Sequence, residues 1–341
     1  MDEQRVPLVD RKNDHIDHVL AGAGVSTASA GFDAVRLIHN ALPELNLDDV
    51  DVSTSLFGKP LEAPFLISSM TGGPARAALI NLRLAEAAEH LGIAFAVGSQ
   101  RVALEGGAGE GLGRELRSRA PNIPILANIG GAQLARGWGV AEAQRAVDAV
   151  AADALIVHLN PLQEAIQPEG DRDWRGVLDG IGGLVRGLQV PVVVKETGCG
   201  LSGDVVRRLA EAGVAGVDVA GAGGTNWGLI EGARGDAKLA RLADAFADWG
   251  VPTVTSVIEA RAAFPVGLVI ASGGVRHGVD AAKAICLGAN LVGQAADVLP
   301  SALQSAEAVI DHFEIVSAQL RIACFCTGSR DLSAMTRSRL A

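Results

Sequence analysis

The stretch "ALIVHLNPLQE", residues 154–164, contains the pattern that decides the fold. The apolar run ALIV is followed within a few residues by His158, Asn160, Gln163 and Glu164, and Pro161 stands where a helix would begin. A near-continuous apolar run is typical of a parallel strand buried on both faces. Polar groups at the end of such a strand need water or partners, because an unpaired buried one costs about 1–3 kcal/mol. We therefore predict a strand whose polar end faces a site.

The same pattern repeats along the chain from residue 64 onward. Each repeat has a short apolar run, a polar or glycine-rich turn, an amphipathic helix and a glycine, which is typical of successive βα units. The predicted strands are FLISS (65–69), AFAV (94–97), PILAN (124–128), ALIVHL (154–159), PVVVK (191–195), GVDVA (216–220), GLVIAS (267–272) and ANLVG (289–293). VPTVTS (251–256) is a ninth candidate, so the strand count is open by one.

Strands that alternate with helices predict an α/β fold, here a (β/α)8 TIM barrel, with an open doubly wound sheet as the alternative. The polar clusters that follow nearly every strand favour the barrel, because in a closed ring they converge on one mouth. Residues 1–60 lack the repeat and are expected to form an N-terminal arm that covers the barrel mouth or docks on its side. Residues 61–341 would form the barrel, with closing helices after residue 300.

Composition excludes several classes of protein. The chain is 49% hydrophobic, has 39 acidic against 29 basic residues, and contains no Lys/Arg-rich run of the kind found in nucleic-acid binders. No apolar run approaches the roughly 18 residues of a membrane span, and the polar start MDEQR is no signal peptide. We expect a soluble cytoplasmic protein with reduced cysteines and without nucleic-acid or membrane partners.

The segment SGGVRHG, residues 272–278, predicts a phosphate site. Its two glycines let backbone amides approach an anion, and Arg276 adds a positive charge. The loops after strands seven and eight of such barrels commonly bind phosphate, and GANLVGQA (288–295) would supply the other half of the site. A Gly-Gly turn that serves only tight geometry is the alternative.

Charged residues at other strand ends suggest further contacts. Lys195 ends an apolar strand and suits an anion, a Schiff base or an electron-rich cofactor ring, whereas a solvated rim charge is the alternative. Arg101 in GSQR is able to hold phosphate bidentately. Glu164 is the carboxylate that would hold Mg²⁺, and His158 would be an acid, a base or a donor. Alternatively, Asn160 caps the turn and Glu164 lies on a solvated helix start.

The arm carries a second basic group in DRKNDH, residues 10–15. Arg11 and Lys12, with His15 three positions further, would close over a diphosphate, although a solvated basic patch is the plainer interpretation. The residues by themselves thus indicate a barrel enzyme for phosphorylated ligands with Mg²⁺. They do not name the reaction.

Several segments together resemble the type II isopentenyl-diphosphate isomerases, which are FMN-dependent barrels related to hydroxy-acid oxidases. The resemblance covers roughly residues 10–330 in the family's order. HLNPLQE and RKxxH are specific to these isomerases, whereas SGGVR is shared more widely. The matching segments are RKNDHI, SSMTGG, VGSQR, ANIGG, HLNPLQEAIQPEGD, VKETGCG, AGAGGTNW and ASGGVRHGVDAAKAICLGA.

The resemblance implies a role for each matched residue. FMN would be bound by Ser69, Met70, Thr71, Ser99, Asn128, Lys195, Thr225, Gly274, Val275, Arg276, Ala295 and Ala296. The substrate would be bound by Arg11, Lys12, His15, Ser99, Gln100, Arg101, His158, Asn160 and Gln163. Gln163, Lys195 and His158 would form the catalytic group, with Gln163 near the reacting carbons, and Glu164 would hold Mg²⁺.

The implied reaction converts isopentenyl diphosphate to dimethylallyl diphosphate, with no net redox change, on flavin reduced by NADPH or NADH. The resemblance also implies a homo-oligomer of four or more chains. Ala220 departs from the serine that is common in the family, which removes one hydroxyl near the flavin. The rival interpretations are a flavin-dependent hydroxy-acid oxidase, whose active-site tyrosines this Tyr-free chain lacks, and a non-catalytic barrel that binds a phosphorylated ligand.

Overall fold

The computed structural model describes residues 8–70, 75–107, 109 and 111–341, with side chains in the first helix described from residue 12. Eight parallel strands close into a barrel with the ring order β10-β3-β4-β5-β6-β7-β8-β9, and two further strands form an antiparallel hairpin. The strands are β1 (Thr54–Leu56), β2 (Lys59–Leu61), β3 (Phe65–Ile67), β4 (Ala94–Ala96), β5 (Ile125–Gly130), β6 (Ala154–Leu159), β7 (Val192–Glu196), β8 (Gly216–Asp218), β9 (Leu268–Ala271) and β10 (Leu291–Gln294). The predicted TIM barrel is confirmed.

Helices connect the strands and cover the outside of the ring. They are α1 (Leu8–Leu20), α2 (Ala75–Leu91), α3 (Arg101–Leu104), α4 (Arg114–Arg119), α5 (Gly131–Ala135), α6 (Val140–Val150), α7 (Pro161–Ile166), α8 (Val177–Gly187), α9 (Gly203–Glu211), α10 (Trp227–Arg234), α11 (Ala237–Asp244), α12 (Thr253–Ala263), α13 (Gly278–Leu287), α14 (Leu299–Gln304) and α15 (Ala306–Cys326). Short 3-10 turns occur at Phe32–Ala34, Leu47–Asp49, Ala296–Val298, Leu332–Ala334 and Arg337–Arg339. Within the described part of the chain, no helix combines the length and apolar character needed to cross a membrane.

All eight predicted barrel strands are confirmed, and the ninth candidate is wrong. Residues 251–256 contain a single bridge, from Pro252 to Ala222, and helix α12 begins directly after it at Thr253. The β-branched residues there resemble a strand locally. However, Thr253, Ser256, Val257 and Ala260 are buried at helical spacing, so packing of one helix face decides the conformation.

The segment that precedes the barrel contributes to both ends of it. Helix α1 lies at the carboxyl ends of the strands, where Lys12, His15 and Ile16 line the cavity described below. The β1–β2 hairpin packs Leu56 and Leu61 into the barrel interior, against residues that begin strands, such as Ala94 and Ala154. The hairpin thus fills the amino end of the ring, and the expected boundary at residue 60 falls inside it.

Arg117 and Arg261 make equivalent sets of hydrogen bonds at the amino end of the ring, and we call each set an arginine clasp. Arg117 donates to Asp153 Oδ2 (2.6 Å) and to the carbonyl of Ala151, and the Ile125 amide donates to the same Asp153 oxygen (2.9 Å). Arg261 donates to Asn290 Oδ1 (2.6 Å) and to the carbonyl of Gly288, and the Val269 amide donates to that Asn290 oxygen (2.9 Å). The two clasps hold β5 and β9, which lie on opposite sides of the ring.

Candidate active site

One cavity of about 330 Å³ opens at the carboxyl ends of the barrel strands. This is the end at which such barrels carry their active sites. Most of the residues selected from the sequence line it, which means that the polar strand ends do converge on one mouth. The predicted residues among its lining are Lys12, His15, Ser69, Met70, Ser99, Arg101, Asn128, His158, Asn160, Gln163, Glu164, Lys195, Thr225, Gly274, Val275, Arg276, Ala295 and Ala296.

One predicted residue whose side chain the structure describes is not among the lining. Gln100 is fully buried outside the cavity, where its amide donates to the Ala146 carbonyl of α6 (2.9 Å) and accepts from the Asn128 amide (2.9 Å). The side chain of Gln100 therefore ties β5 to α6 and does not reach the substrate position expected of it. Thr71 and the side chain of Arg11 lie outside the described residues.

Helix α1 is held over the cavity by contacts that include the following. Lys12 Nζ donates to the carbonyl of Ser99 (3.1 Å), and His15 Nε2 lies 2.9 Å from Glu231 Oε1. The His15 ring also meets the Trp227 ring edge to face, with centroids 5.2 Å apart. The basic group of the arm is thus brought to the mouth, as the sequence predicted for Lys12 and His15.

Glu231 is the centre of a buried polar cluster. Its Oε1 also accepts from the Gln163 amide (2.8 Å), and its Oε2 pairs with Arg234, three residues further on α10. Burial acts to raise the pKa of Glu231, but the bonds from His15 and Gln163 and the charge of Arg234 outweigh it and lower the pKa to about 2. Glu231 is therefore ionised, and it fixes which way the Gln163 amide points.

The 158–171 stretch forms a second polar cluster. The Asn160 amide donates to Gln163 Oε1 (3.0 Å) and to Glu164 Oε1 (3.1 Å), while Glu164 Oε2 accepts from the Asp171 amide (2.6 Å). Asn160 makes no capping bond to α7, and Glu164 is only 8% exposed. Both halves of the alternative interpretation, a capping Asn160 and a solvated Glu164, are therefore wrong.

His158 is held as a neutral imidazole. Asn128 donates through Nδ2 to the Val97 carbonyl (3.2 Å), so its Oδ1 is the acceptor that lies 2.8 Å from His158 Nδ1. Burial, together with the charges of Lys195 and Lys12, lowers the pKa of His158 to about 3. The Nδ1 proton is committed to Asn128, which leaves Nε2 as an unprotonated acceptor.

Lys195 lies at the centre of the charged strand ends. The parallel register places it beside His158 of β6 on one side and beside Asp218 of β8 on the other. Its ammonium donates to the Glu196 carbonyl (2.7 Å), and it is 7% exposed at the cavity wall. Burial lowers the pKa of Lys195, whereas the charges of Asp218 and Glu196 act to raise it. The solvated rim charge considered from the sequence is wrong.

Glu196 supports the loop beneath the cavity. Its Oε2 accepts from the backbone amides of Thr197 (2.6 Å), Gly198 (2.6 Å) and Cys199 (2.5 Å). Burial raises the pKa of this carboxyl group to about 7, against the effect of the three amides. The loop so held places Thr197 and Gly198 in the cavity wall.

The glycine-rich loop after β9 has the conformation expected of a phosphate site. Gly273 and Gly274 have φ angles of 96° and 69°, which exclude most side chains. Thr253 donates to the Gly273 carbonyl (2.5 Å), and the Gln294 amide donates to the Val275 carbonyl (3.0 Å). The loop is therefore fixed from α12 and β10, and its residues Gly273 to Arg276 line the cavity.

One observation favours a polar ligand in the cavity, and a second limits how a metal ion could be bound there. Ser68 and Ser69 line the cavity, and their buried hydroxyls have no hydrogen-bond partner among the described residues, which is consistent with a polar ligand. Within the same residues, no three His, Cys, Asp or Glu side chains form a metal-binding group. A divalent ion at Glu164 would thus need oxygen ligands from a substrate and water.

Asp218 and Glu231 are buried acidic residues of the site that were missed from the sequence. Asp218 interrupts the apolar run GVDVA, and a carboxylate inside a buried strand was a signal that it has a partner. Glu231 occupies the buried face of α10, four positions after Trp227, and only the helix register could have indicated it. Both residues pack against predicted site residues.

The chain matches the family model described as FMN-dependent dehydrogenase over residues 16–105 and 141–341. It is 63% identical over 332 residues to isopentenyl-diphosphate delta-isomerase of Xanthobacter autotrophicus, with 97% of each chain covered. It is 60% identical over 335 residues to the protein of that name from Stutzerimonas stutzeri, covering 98% of this chain and 97% of the relative. The solved structure of mandelate oxidase with (S)-2-phenylpropionate superposes with a TM-score of 0.65 at 19% identity, covering 99% and 98% of the chains, which shows a shared fold.

Proposed function

Since the chain belongs to the isopentenyl-diphosphate delta-isomerases of the FMN-dependent dehydrogenase family, we propose that it interconverts isopentenyl and dimethylallyl diphosphate in this cavity. The observation that carries the proposal is the convergence of two separate anion-binding regions on one cavity. A glycine loop and Lys195 suit a flavin phosphate and ring, and Lys12 and Arg101 suit a second phosphorylated ligand. FMN when bound would supply, in its reduced form, the proton transfer that moves the double bond without net redox change.

The FMN site is proposed on the strand-end residues already described. The phosphate would lie against the amides of Gly274 to Arg276, because this loop is fixed and its glycines admit close approach. Ser69, Asn128, Lys195 and Thr225 would contact the remainder. The unpartnered hydroxyls of Ser68 and Ser69 support this placement, since each would gain a partner.

The substrate diphosphate is proposed to lie under helix α1. Lys12 is already directed to the mouth by its bond to the Ser99 carbonyl, and Arg101 is positioned by Asp171 (3.2 Å) and Glu105 (3.0 Å). These cations surround the unprotonated His158, so a bound diphosphate would favour protonation of that imidazole. Arg11 is proposed to join them.

Gln163 is proposed to orient the hydrocarbon end of the substrate. Its amide is fixed at both ends, because its oxygen accepts from Asn160 and its nitrogen donates to Glu231. A fixed amide presents the same atoms to every substrate molecule, which holds the reacting carbons in one alignment. Glu164, beside it, is proposed to hold the Mg²⁺ that bridges to the diphosphate.

The test is an anaerobic assay of the purified chain with FMN, NADPH, Mg²⁺ and isopentenyl diphosphate. We expect dimethylallyl diphosphate to form, to require prior reduction of FMN, and to leave the flavin reduced at the end. Product that forms equally with oxidised FMN would contradict the flavin part of the proposal. Comparison of NADPH with NADH in the same assay, and the mass of the protein in solution, test the proposed reductant and the proposed homo-oligomer.

The alternative functions give different results in parallel assays. A hydroxy-acid oxidase would consume oxygen with a 2-hydroxy acid, and the shared fold with mandelate oxidase makes this assay necessary. The absence of tyrosine from the sequence argues against it. A barrel that merely binds a phosphorylated ligand would remain colourless after incubation with FMN.

A further inference from the structure

We propose that Asp218 is a positioning residue, which acts as the fixed counter-charge of Lys195 and keeps the Lys195 ammonium charged and in place at the cavity wall. This inference deepens the proposed function and rests on it only where bound FMN is concerned. It concerns a side chain that is not part of the cavity surface. Asp218 is fully buried at the end of β8, behind residues that do line the cavity.

The two carboxylate oxygens of Asp218 have different surroundings. Oδ1 accepts from the Ser272 hydroxyl (2.5 Å) and from the Ala220 amide (3.3 Å). Oδ2 is buried and has no hydrogen-bond partner in the described part of the chain. A buried carboxylate with one unsatisfied oxygen is costly unless a cation stands near it.

Lys195 is the cation that can balance the charge of the Asp218 carboxylate. The β7–β8 register makes Lys195 and Asp218 direct neighbours, and the Lys195 ammonium is held at the cavity by the Glu196 carbonyl. Among the neighbouring groups, Glu196 also acts to raise the pKa of Lys195, but less than Asp218 does. His158 of β6 is neutral, Lys12 of α1 has the wrong sign, and the Glu196 carboxylate is bound by three backbone amides.

The arrangement also joins the two regions of the proposed flavin site. Through Ser272, Asp218 is bonded to the residue that opens the glycine-rich loop, and through its charge it acts on Lys195. Burial by itself favours loss of the Lys195 proton, and the Asp218 charge opposes that loss. A lysine that kept its proton would stabilise an electron-rich, anionic ring beside it.

The test separates the charge of Asp218 from its hydrogen bonds. Asp218→Asn keeps an oxygen that can accept from Ser272 and Ala220 but removes the charge. Ser272→Ala keeps the carboxyl group and removes the hydroxyl bond. Burial raises the pKa of Asp218, and the charge of Lys195 lowers it more than the Ser272 bond does, so we expect the charge to be kept at the alkaline pH at which lysines titrate. The sequence contains five lysines, Lys12, Lys59, Lys195, Lys238 and Lys283, so methyl-labelled lysines of the flavin-free full-length chain can be titrated by NMR, with Lys195→Arg identifying the signal.

We expect the Lys195 signal to titrate at lower pH in Asp218→Asn than in the unmodified chain, and to move much less in Ser272→Ala. An unchanged Lys195 titration in a folded Asp218→Asn protein would overturn the proposal. So would an equal shift in both variants, because it would show that Asp218 merely ties β8 to β9. If Asp218→Asn fails to fold, a Ser272→Ala protein with a shifted Lys195 titration contradicts the proposal and one without a shift supports it.

Bound FMN provides a second measurement that is not an activity. The reduction potential of bound FMN, followed against pH, should change slope where Lys195 loses its proton. In Asp218→Asn we expect this change of slope at lower pH. A chain that binds no FMN would disprove the proposed function but leave the NMR result standing, so the two failures are distinguishable.

Discussion

The imidazole of His15 lies 2.9 Å from the carboxylate of Glu231, and this contact joins helix α1 to helix α10 across 216 residues of chain. Glu231 also receives the Gln163 amide, so the same carboxylate fixes the arm and a residue of the cavity wall. The position of the arm and the orientation of Gln163 are therefore coupled. A change that displaces the arm should therefore also change the orientation of Gln163.

Glu231→Gln should loosen α1 and destabilise the protein. The change removes a buried charge and leaves Arg234, whose side chain is 9% exposed, without its closest carboxylate. Breaking a buried ion pair in this way costs about 3 kcal/mol. Urea unfolding measures the loss, and hydrogen exchange of the α1 amides measures the loosening. Glu211→Gln, which removes an exposed partner of Arg207 on α9, is the matched control and should change neither.

Glu164→Gln should raise the Mg²⁺ concentration that turnover requires without affecting retention of FMN. The Gln side chain keeps one oxygen, which can accept from Asn160 or from the Asp171 amide, so the charge is lost together with one of these two bonds. We expect the Mg²⁺ concentration for half-maximal turnover to rise at least about tenfold, as for other losses around metal ligands. A variant with unaltered Mg²⁺ dependence would show that the ion is held elsewhere.

His158 should make the protein less stable in mild acid. Its folded pKa of about 3 lies below its value of about 6.5 in an unfolded chain, so the unfolded state binds an extra proton between these pH values. The free energy of unfolding should therefore fall as the pH decreases through this window, by up to about 1.4 kcal/mol per pH unit. Urea unfolding of His158→Gln at several pH values should show a shallower dependence of the free energy of unfolding on pH than the unmodified chain, and an equal dependence would contradict the prediction.

Gly198→Ala should disrupt the loop that Glu196 holds. Gly198 has a φ of 144°, and an added Cβ would lie 1.9 Å from the Thr225 carbonyl oxygen, so both backbone strain and collision oppose the substitution. We expect a loss of about 3 kcal/mol in stability and weaker binding of FMN. Gly106→Ala is the control, because Gly106 also has a positive φ, 88°, but its Cβ would meet nothing within 4 Å. Thermal unfolding and flavin retention distinguish the two variants.

The sequence predicted the barrel because each buried parallel strand is encoded locally, as an apolar run with a polar end. The strand predicted at residues 251–256 was wrong because a non-local effect decided the conformation there. There the β-branched residues favour a strand, but burial of Thr253, Ser256 and Val257 on one helix face against the rest of the barrel decides the outcome. Tertiary packing of this kind has no local signal.

The site was predicted where a side chain at a strand end can point only toward the mouth, as for Lys195 and His158. Gln100 differs because it follows β4 in a turn, and the turn directs its amide to α6 instead. Glu231 was missed because its function depends on a contact with His15, far away in the sequence. Residues such as Glu231, whose role depends on a contact with a distant part of the chain, can be recognised only in the folded structure.

The two arginine clasps at the amino end of the barrel differ in their acceptor: one uses the Asp153 carboxylate, which also pairs with Lys59, and the other uses the Asn290 amide. Only the first can therefore be weakened by acid through protonation of its acceptor. Burial acts to raise the pKa of Asp153, but the bonds from Lys59, the Ile125 amide and Arg117 hold it below its usual value. Its contribution to stability is thus present at neutral pH and is lost as the pH falls through that lowered pKa. The side-chain amide of Asn290, which occupies the corresponding position, does not titrate. As the pH falls, the contact between β5 and β6 should therefore weaken before the contact between β9 and β10.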